Sequence, residues 1–132
     1  MTVWQVLLRK GGGVYSVHPQ ATVLEGLRKL AEHDIGALLV MGGERLLGIF
    51  SERDYARKLV LLGRFSKGTL MEEVMTREVI TVTPETTLQE AMRLMTEHLV
   101  RDICVLEEGR VVGVVSIGDA VKAIITEQEV LI

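Results

Sequence analysis

The sequence predicts a mixed α/β (α+β) protein made of two copies of one β-α-β-β-α unit, packed about a pseudo-twofold axis into one module. Three observations carry that reading. Residues from Val14 onward match those from Val79 onward without a gap, at a constant offset of 65 that pairs Pro19/Pro84, His33/His98, Gly48/Gly113 and Asp54/Asp119. That period is too long for one layer of a solenoid, so each copy is a whole supersecondary unit. Each copy opens a helix on Thr-x-x-Glu and closes a strand on Gly-x-x-Ser-x-x-Asp, "GIFSERD" and "GVVSIGD". The strands between are almost continuously apolar, which calls for cover on both faces that one unit alone does not supply.

The elements follow in order. Residues 1–62 hold an N-terminal extension and the first repeat, 63–78 a linker with a short helix, and 79–132 the second repeat. Each repeat starts with a short strand, "VYSV" or "VITV", stopped by a proline that cannot donate to a ladder. The first helix begins at a capping box, Thr22–Glu25 or Thr87–Glu90, in which the long glutamate reaches back to the cap amide. Its apolar stripe runs Val23, Leu27, Leu30, Ala31 or Leu88, Met92, Met95, Leu99. Two strands come next, "ALLVM" with "RLLGIF" and "DICVL" with "RVVGVV", joined by the glycine-bearing turns "GGE" and "EEG". The closing helix presents Tyr55, Leu59 and Leu62, or Val121, Ile124 and Ile125, as its buried face. In the linker "TLMEEVM" reads as a short helix, and "TVWQVLL" near the N-terminus is its counterpart, followed by three extra residues around Gly11 to Gly13.

Composition narrows the function classes. The chain has 132 residues, 48% of them hydrophobic, and a formal charge of −3. That is enough apolar material for a real core and gives no electrostatic footprint for nucleic acid. Arg53, Arg57, Lys58, Arg64 and Lys67 form one local basic stretch, read as a solvated helix face. The single cysteine, Cys104, lies in an apolar run and reads as a buried, inert thiol. With no uninterrupted apolar run of about 18 residues and no cleavable leader pattern, the expectation is a cytoplasmic protein that does not enter membranes. His33 and His98 end their helices, where a histidine suits the dipole; no His/Cys/Asp spacing suits a metal and no nucleophile–base pair suggests catalysis.

Strand, helix, two strands and helix, twice over, with V-x-P-x-x-T-x-x-E opening and G-x-x-S-x-x-D closing each copy, resemble a tandem pair of cystathionine-β-synthase (CBS) domains of the compact stand-alone type. The resemblance spans nearly the whole chain. It implies a non-enzymatic regulatory, energy-sensing module that binds an adenosine-containing ligand (AMP, ADP, ATP, NAD(H) or S-adenosylmethionine) in clefts between the repeats, without a catalytic cofactor. It also implies a homodimer acting on a separate, unidentified protein. Carried over residue by residue, one site joins Ser116 and Asp119 to His18, Ile35, Gly36 and Ala37; the other joins Ser51, Arg53 and Asp54 to Thr83, Val100, Arg101 and Asp102.

The chemistry of these types fits such a ligand. An aspartate at a helix start accepts hydrogen bonds from ribose hydroxyls, while serine and the helix N-terminal amides meet phosphate. An apolar Ile35 or Val100 lies against adenine. The residue before proline is often Thr in ligand-binding members, and here the first copy has His18. Some members place Arg after the histidine that ends the first helix, where this chain has Asp34 and Leu99. Phosphate is then left to Arg53 and Arg101, so the resemblance points to the Asp54 site as the more phosphate-favouring one. Read from the residues alone, Ser-x-x-Asp is equally a pair of helix caps, and a ligand-free scaffold dimer stays open beside the sensor. The shorter Asp in place of Glu leans toward binding.

Overall fold

A computed structural model describes residues 1–11 and 13–131, with side chains placed through residue 127. Gly12 of the triple glycine, the side chains of residues 128–131 and the whole of Ile132 lie outside the described residues. The chain divides into two units: Tyr15–Val79, and Met1–Val14 together with Ile80 onward.

The unit holding the first repeat contains β1 (Ser16–Val17), α2 (Val23–His33), β2 (Ala37–Gly42), β3 (Arg45–Ser51), α3 (Glu52–Tyr55) and α4 (Met71–Val74). The unit holding the second contains α1 (Val3–Lys10), β4 (Thr81–Val82), α5 (Leu88–His98), β5 (Asp102–Glu107), β6 (Arg110–Ser116) and α6 (Ile117–Leu131). Each has a three-stranded sheet, β1-β2-β3 or β4-β5-β6, whose first pair is parallel and second antiparallel. The expected strand-helix-strand-strand-helix order is therefore present twice. The register repeats down to a bulge between Val40 and Met41 and between Val105 and Leu106.

The segment preceding each repeat in the chain folds with the other repeat. Val3 N donates to Thr86 O and Trp4 N to Pro84 O, as Met71 N donates to Ala21 O and Glu72 N to Pro19 O. The expected correspondence of "TVWQVLL" with "TLMEEVM" is thus drawn by matching backbone bonds. Val3 and Val6 are buried against Leu88, Ala91, Met95, Ile103 and Val115; Met71 and Val74 are buried against Val23, Leu30, Leu38 and Phe50. Small residues make room for these visitors. A Cβ on Gly26 would collide with Met71 Cε, one on Gly48 would stand 2.7 Å from Met75 Sδ, and one on Gly113 would stand 2.6 Å from Leu7 Cδ2.

Several expected core positions are corrected. Gly26 and Ala91 replace Ala31 and Leu99 in the buried stripe; Ala31 is exposed, and Leu99 is the left-handed residue ending α5, at φ 54°, with its side chain in solvent. Leu62 is also exposed, because a π-helical turn over Ala56–Val60, with Leu61 N bonding Ala56 O, shifts the phase after Leu59. In α6 the buried face is Ala120, Ala123 and half-buried Ile124; Val121 and Ile125 point out with Ile117. Alanines are favoured there because α1 shares the core that α6 packs into. The histidines do end their helices; His33 also stacks on Tyr15, with ring centroids 3.9 Å apart. Cys104 is buried, and burial pushes its thiol up to about 11, which keeps it protonated and unreactive near neutrality.

Candidate functional site

Both Ser-x-x-Asp phrases lie where the last strand of a repeat turns into its closing helix. The local geometry follows from sequence: serine in extended backbone at the cap, carboxylate three residues on. Ser51 N donates to Asp54 Oδ2 at 2.9 Å and Asp54 N to Ser51 Oγ at 3.2 Å; Ser116 N and Asp119 Oδ2, and Asp119 N and Ser116 Oγ, repeat this at 2.9 and 3.0 Å. These are reciprocal capping boxes.

That overturns one premise. The first helices, expected to show the full box, are capped in one direction only among the described bonds: Thr22 Oγ1 and Thr87 Oγ1 accept from Glu25 N and Glu90 N. Glu90 instead makes a two-pronged pair with Arg93, at 2.9 and 2.6 Å, which draws its carboxylate away from the cap and lowers its pKa. The shorter aspartate is the residue that reaches back, so its length does not by itself signal a ligand.

The surroundings of the two aspartates differ. Asp54 is 8% exposed, and its second oxygen, Oδ1, accepts from Thr76 Oγ1 and from Lys58 Nζ, each at 3.0 Å. Lys58 also donates to Val74 O at 2.9 Å and Thr76 Oγ1 at 3.2 Å. Asp119 meets a cation from a different element: Lys10 Nζ, at the end of α1, lies 2.8 Å from Oδ2 and 2.8 Å from Val114 O. Burial alone would raise the Asp119 pKa, but the Lys10 ammonium and the Ser116 amide outweigh it and hold the carboxyl below its usual range.

The cause lies in the visiting segments. After α4 the chain goes extended at Met75, and Thr76 bridges Ile49 through Ile49 N to Thr76 O and the reverse bond. The counterpart α1 stays helical to Lys10, since leucines continue the helix where Thr76 does not and Arg9 and Lys10 suit its C-terminal end. Lys10 then reaches Val114, the counterpart of Ile49. Of these partners only Lys58, four residues after Asp54 on a helix, had a visible signal; Lys10 and Thr76 are far away in sequence.

Of the remaining expected site residues, Gly36, Ala37, Arg101 and Asp102 stand beside the caps of their own repeats. Gly36 O accepts from Glu52 N and Ala37 pairs with Ser51; Arg101 O accepts from Ile117 N and Asp102 pairs with Ser116. Ile35 and Val100 follow the left-handed residues Asp34 and Leu99, and both are half-buried. Those left-handed helix ends occupy the positions where some family members carry Arg. His18 and Thr83 are exposed in the loops that precede the buried Pro19 and Pro84. Among the described residues no group of three His, Cys, Asp or Glu side chains is placed to hold a metal ion, and no helix is long and apolar enough to cross a membrane.

Two repeats of this topology, each closing on a capped Ser-x-x-Asp, define a CBS-domain pair. The CBS-domain profile matches residues 11–61 and 71–126, and the chain belongs to that family. It is 45% identical over 111 residues to the CBS domain-containing protein CBSX3, mitochondrial, of Arabidopsis thaliana, covering 80% of this chain and only 54% of that protein. It is 45% identical to a putative signal-transduction protein with CBS domains from Burkholderia ambifaria, with a TM-score of 0.93 and coverage of 97% and 96%. The CBS domain pair of protein MJ0100, solved in complex with 5′-methylthioadenosine and S-adenosyl-L-methionine, shares the fold at 24% identity and TM-score 0.82, covering 94% of this chain and 99% of that one.

Proposed function

We propose that this CBS-domain pair is a non-enzymatic regulatory module of the cytoplasm that binds an adenosine-containing ligand at the Ser-x-x-Asp ends and answers by a change of conformation or assembly. The observation that carries the reading is the pre-set constellation at those ends: a carboxylate, a serine hydroxyl and helix N-terminal amides, fixed by reciprocal bonds. The carboxylate suits a ribose diol, and the amides and hydroxyl suit an anion. The adenosine compounds bound by the MJ0100 pair support that ligand class. On this reading Ser51, Arg53, Asp54, Ser116 and Asp119 face sugar and phosphate. His18, Ile35, Gly36, Ala37, Thr83, Val100, Arg101 and Asp102 supply loop and strand-edge contacts.

A second reading, a ligand-free scaffold dimer, has its own support. Ile117, Val121 and Ile125 form an exposed apolar row at helical spacing on α6. The two part on one experiment: calorimetric titration of nucleotide-depleted protein with AMP, ADP, ATP, NAD(H) and S-adenosylmethionine, with sedimentation before and after. Saturable binding of at least one compound is expected. Silence from all five, with a dimer that weakens on Val121→Lys, leaves the scaffold reading in its place.

A further inference from the structure

The two Ser-x-x-Asp ends are alike in backbone and unlike in what their polar atoms have left to give. Both oxygens of Asp54 are occupied twice: Oδ2 by Ser51 N and Ser51 Oγ, Oδ1 by Thr76 Oγ1 and Lys58 Nζ. The Ser51 hydroxyl spends its hydrogen on that carboxylate, at 3.1 Å. A ribose arriving there would have to displace donors from a carboxylate that is already satisfied and nearly covered.

At the second end, all bonds to the Asp119 carboxylate among the described residues fall on Oδ2, from Ser116 N and Lys10 Nζ. Among the described residues no buried side-chain oxygen or nitrogen lacks a partner, so Oδ1 reaches solvent. Ser116 Oγ accepts from Asp119 N, and its hydroxyl also faces the Asp119 carboxyl, helping to hold its pKa down. Lys10 Nζ has three hydrogens and two partners, Val114 O and Asp119 Oδ2, and its side chain keeps 34% of its exposure. One acceptor, Asp119 Oδ1, and one donor, the third hydrogen of Lys10 Nζ, are therefore available within a single constellation.

We infer that the two ends have diverged in role: the Ser116–Asp119 end takes the ligand, with Lys10 as the residue that makes it prefer a phosphorylated adenosine, while Ser51–Asp54 with Lys58 and Thr76 is a structural lock. This rests on the regulatory reading above and restricts it to one of the two ends, withdrawing Ser51, Arg53 and Asp54 from the ligand. A ribose hydroxyl donates to Asp119 Oδ1 while Lys10 stays on Oδ2, and the third ammonium hydrogen is left for an anionic group. A neutral nucleoside gains nothing from that ammonium. The assignment reverses the expectation drawn from Arg53 and Arg101, that the Asp54 site favours phosphate.

The test is calorimetry of the full chain with AMP and with adenosine as probes, in wild type, Asp119→Asn, Lys10→Met, Thr76→Val and Lys58→Met. One AMP per chain is expected. Asp119→Asn weakens AMP by about tenfold or more, and Lys10→Met cuts the preference for AMP over adenosine by about tenfold. Thr76→Val and Lys58→Met lower the melting temperature and leave AMP affinity within about threefold. Two equivalent AMP sites, binding that survives Asp119→Asn, or an AMP-to-adenosine ratio unmoved by Lys10→Met each overturn the assignment alone. Failure of wild type to bind any adenosine compound overturns the regulatory reading, and the assignment with it.

Discussion

Asp54 and Asp119 occupy the same position in two copies of one phrase, yet one is sealed and the other half open. Their capping bonds agree within 0.2 Å, because a Ser-x-x-Asp box is closed by residues three apart. Everything beyond the box comes from the segment that visits the repeat. Where that segment turns extended it delivers the Thr76 hydroxyl to the carboxylate and a bridge to Ile49; where it stays helical it delivers an ammonium. The two copies thus share the cap and differ in the second layer of partners.

The largest test of this comparison removes a visitor. Deleting residues 1–10 forfeits the burial of Val3 and Val6, worth about 1.5–3 kcal/mol each. The loss belongs to the second repeat: hydrogen exchange should accelerate in α5 and β6 while α2 and β3 keep their protection. Equal loss in both repeats, or loss in the first, would contradict the exchanged packing. Next in size, Asp54→Ala leaves the Thr76 hydroxyl without its acceptor and strips Lys58 of its carboxylate, and is expected to cost about 2–3 kcal/mol by urea unfolding. Asp119→Ala should cost about 0.5–2 kcal/mol, the loss of a cap; the reverse order would end the distinction between lock and open end.

Glycine contacts separate the repeats more finely. A Cβ at Gly48 meets Met75 and, at 2.9 Å, the carbonyl oxygen of Thr76, whereas the three atoms nearest to one at Gly113 all belong to the Leu7 side chain. Backbone does not swing aside as a leucine does, so Gly48→Ala should cost about 1–3 kcal/mol and Gly113→Ala less. The smallest effect is in acid. The Asp119 carboxyl is held below its usual value near 3.8, with Lys10 and Ser116 outweighing burial. A depressed carboxyl contributes stability above the unfolded pKa and loses it as pH falls through the folded one. Lys10→Met should therefore flatten the acid limb of stability below about pH 4 while leaving the slope above pH 5 unchanged, read by urea midpoints across that range.

Much of the fold was legible along the chain because it is written in short-range terms. The repeat register, Pro19 and Pro84 after the short strands, the hairpin turns at Gly43 and Gly109 and the Ser-x-x-Asp caps all depend on residues a few positions apart. The helix faces were less legible. Leu62, Val121 and Ile125 have helical spacing, but a π-turn rephased the first and a tight alanine contact rotated the burial of the others. A glutamate long enough to close a box was drawn to Arg93 instead.

The sequence by itself determined that there are two like units, where each begins and ends, and that each closes on a hydroxyl and a carboxylate at a helix start. Local hydrogen bonding and apolar periodicity suffice for that. Only the tertiary structure decided which segment completes which repeat, and through it which aspartate is enclosed. Thr76 lies 22 residues from Asp54 and Lys10 lies more than 100 from Asp119 along the chain. Contacts at such separations follow from how whole faces are buried, and no local pattern of residues records them.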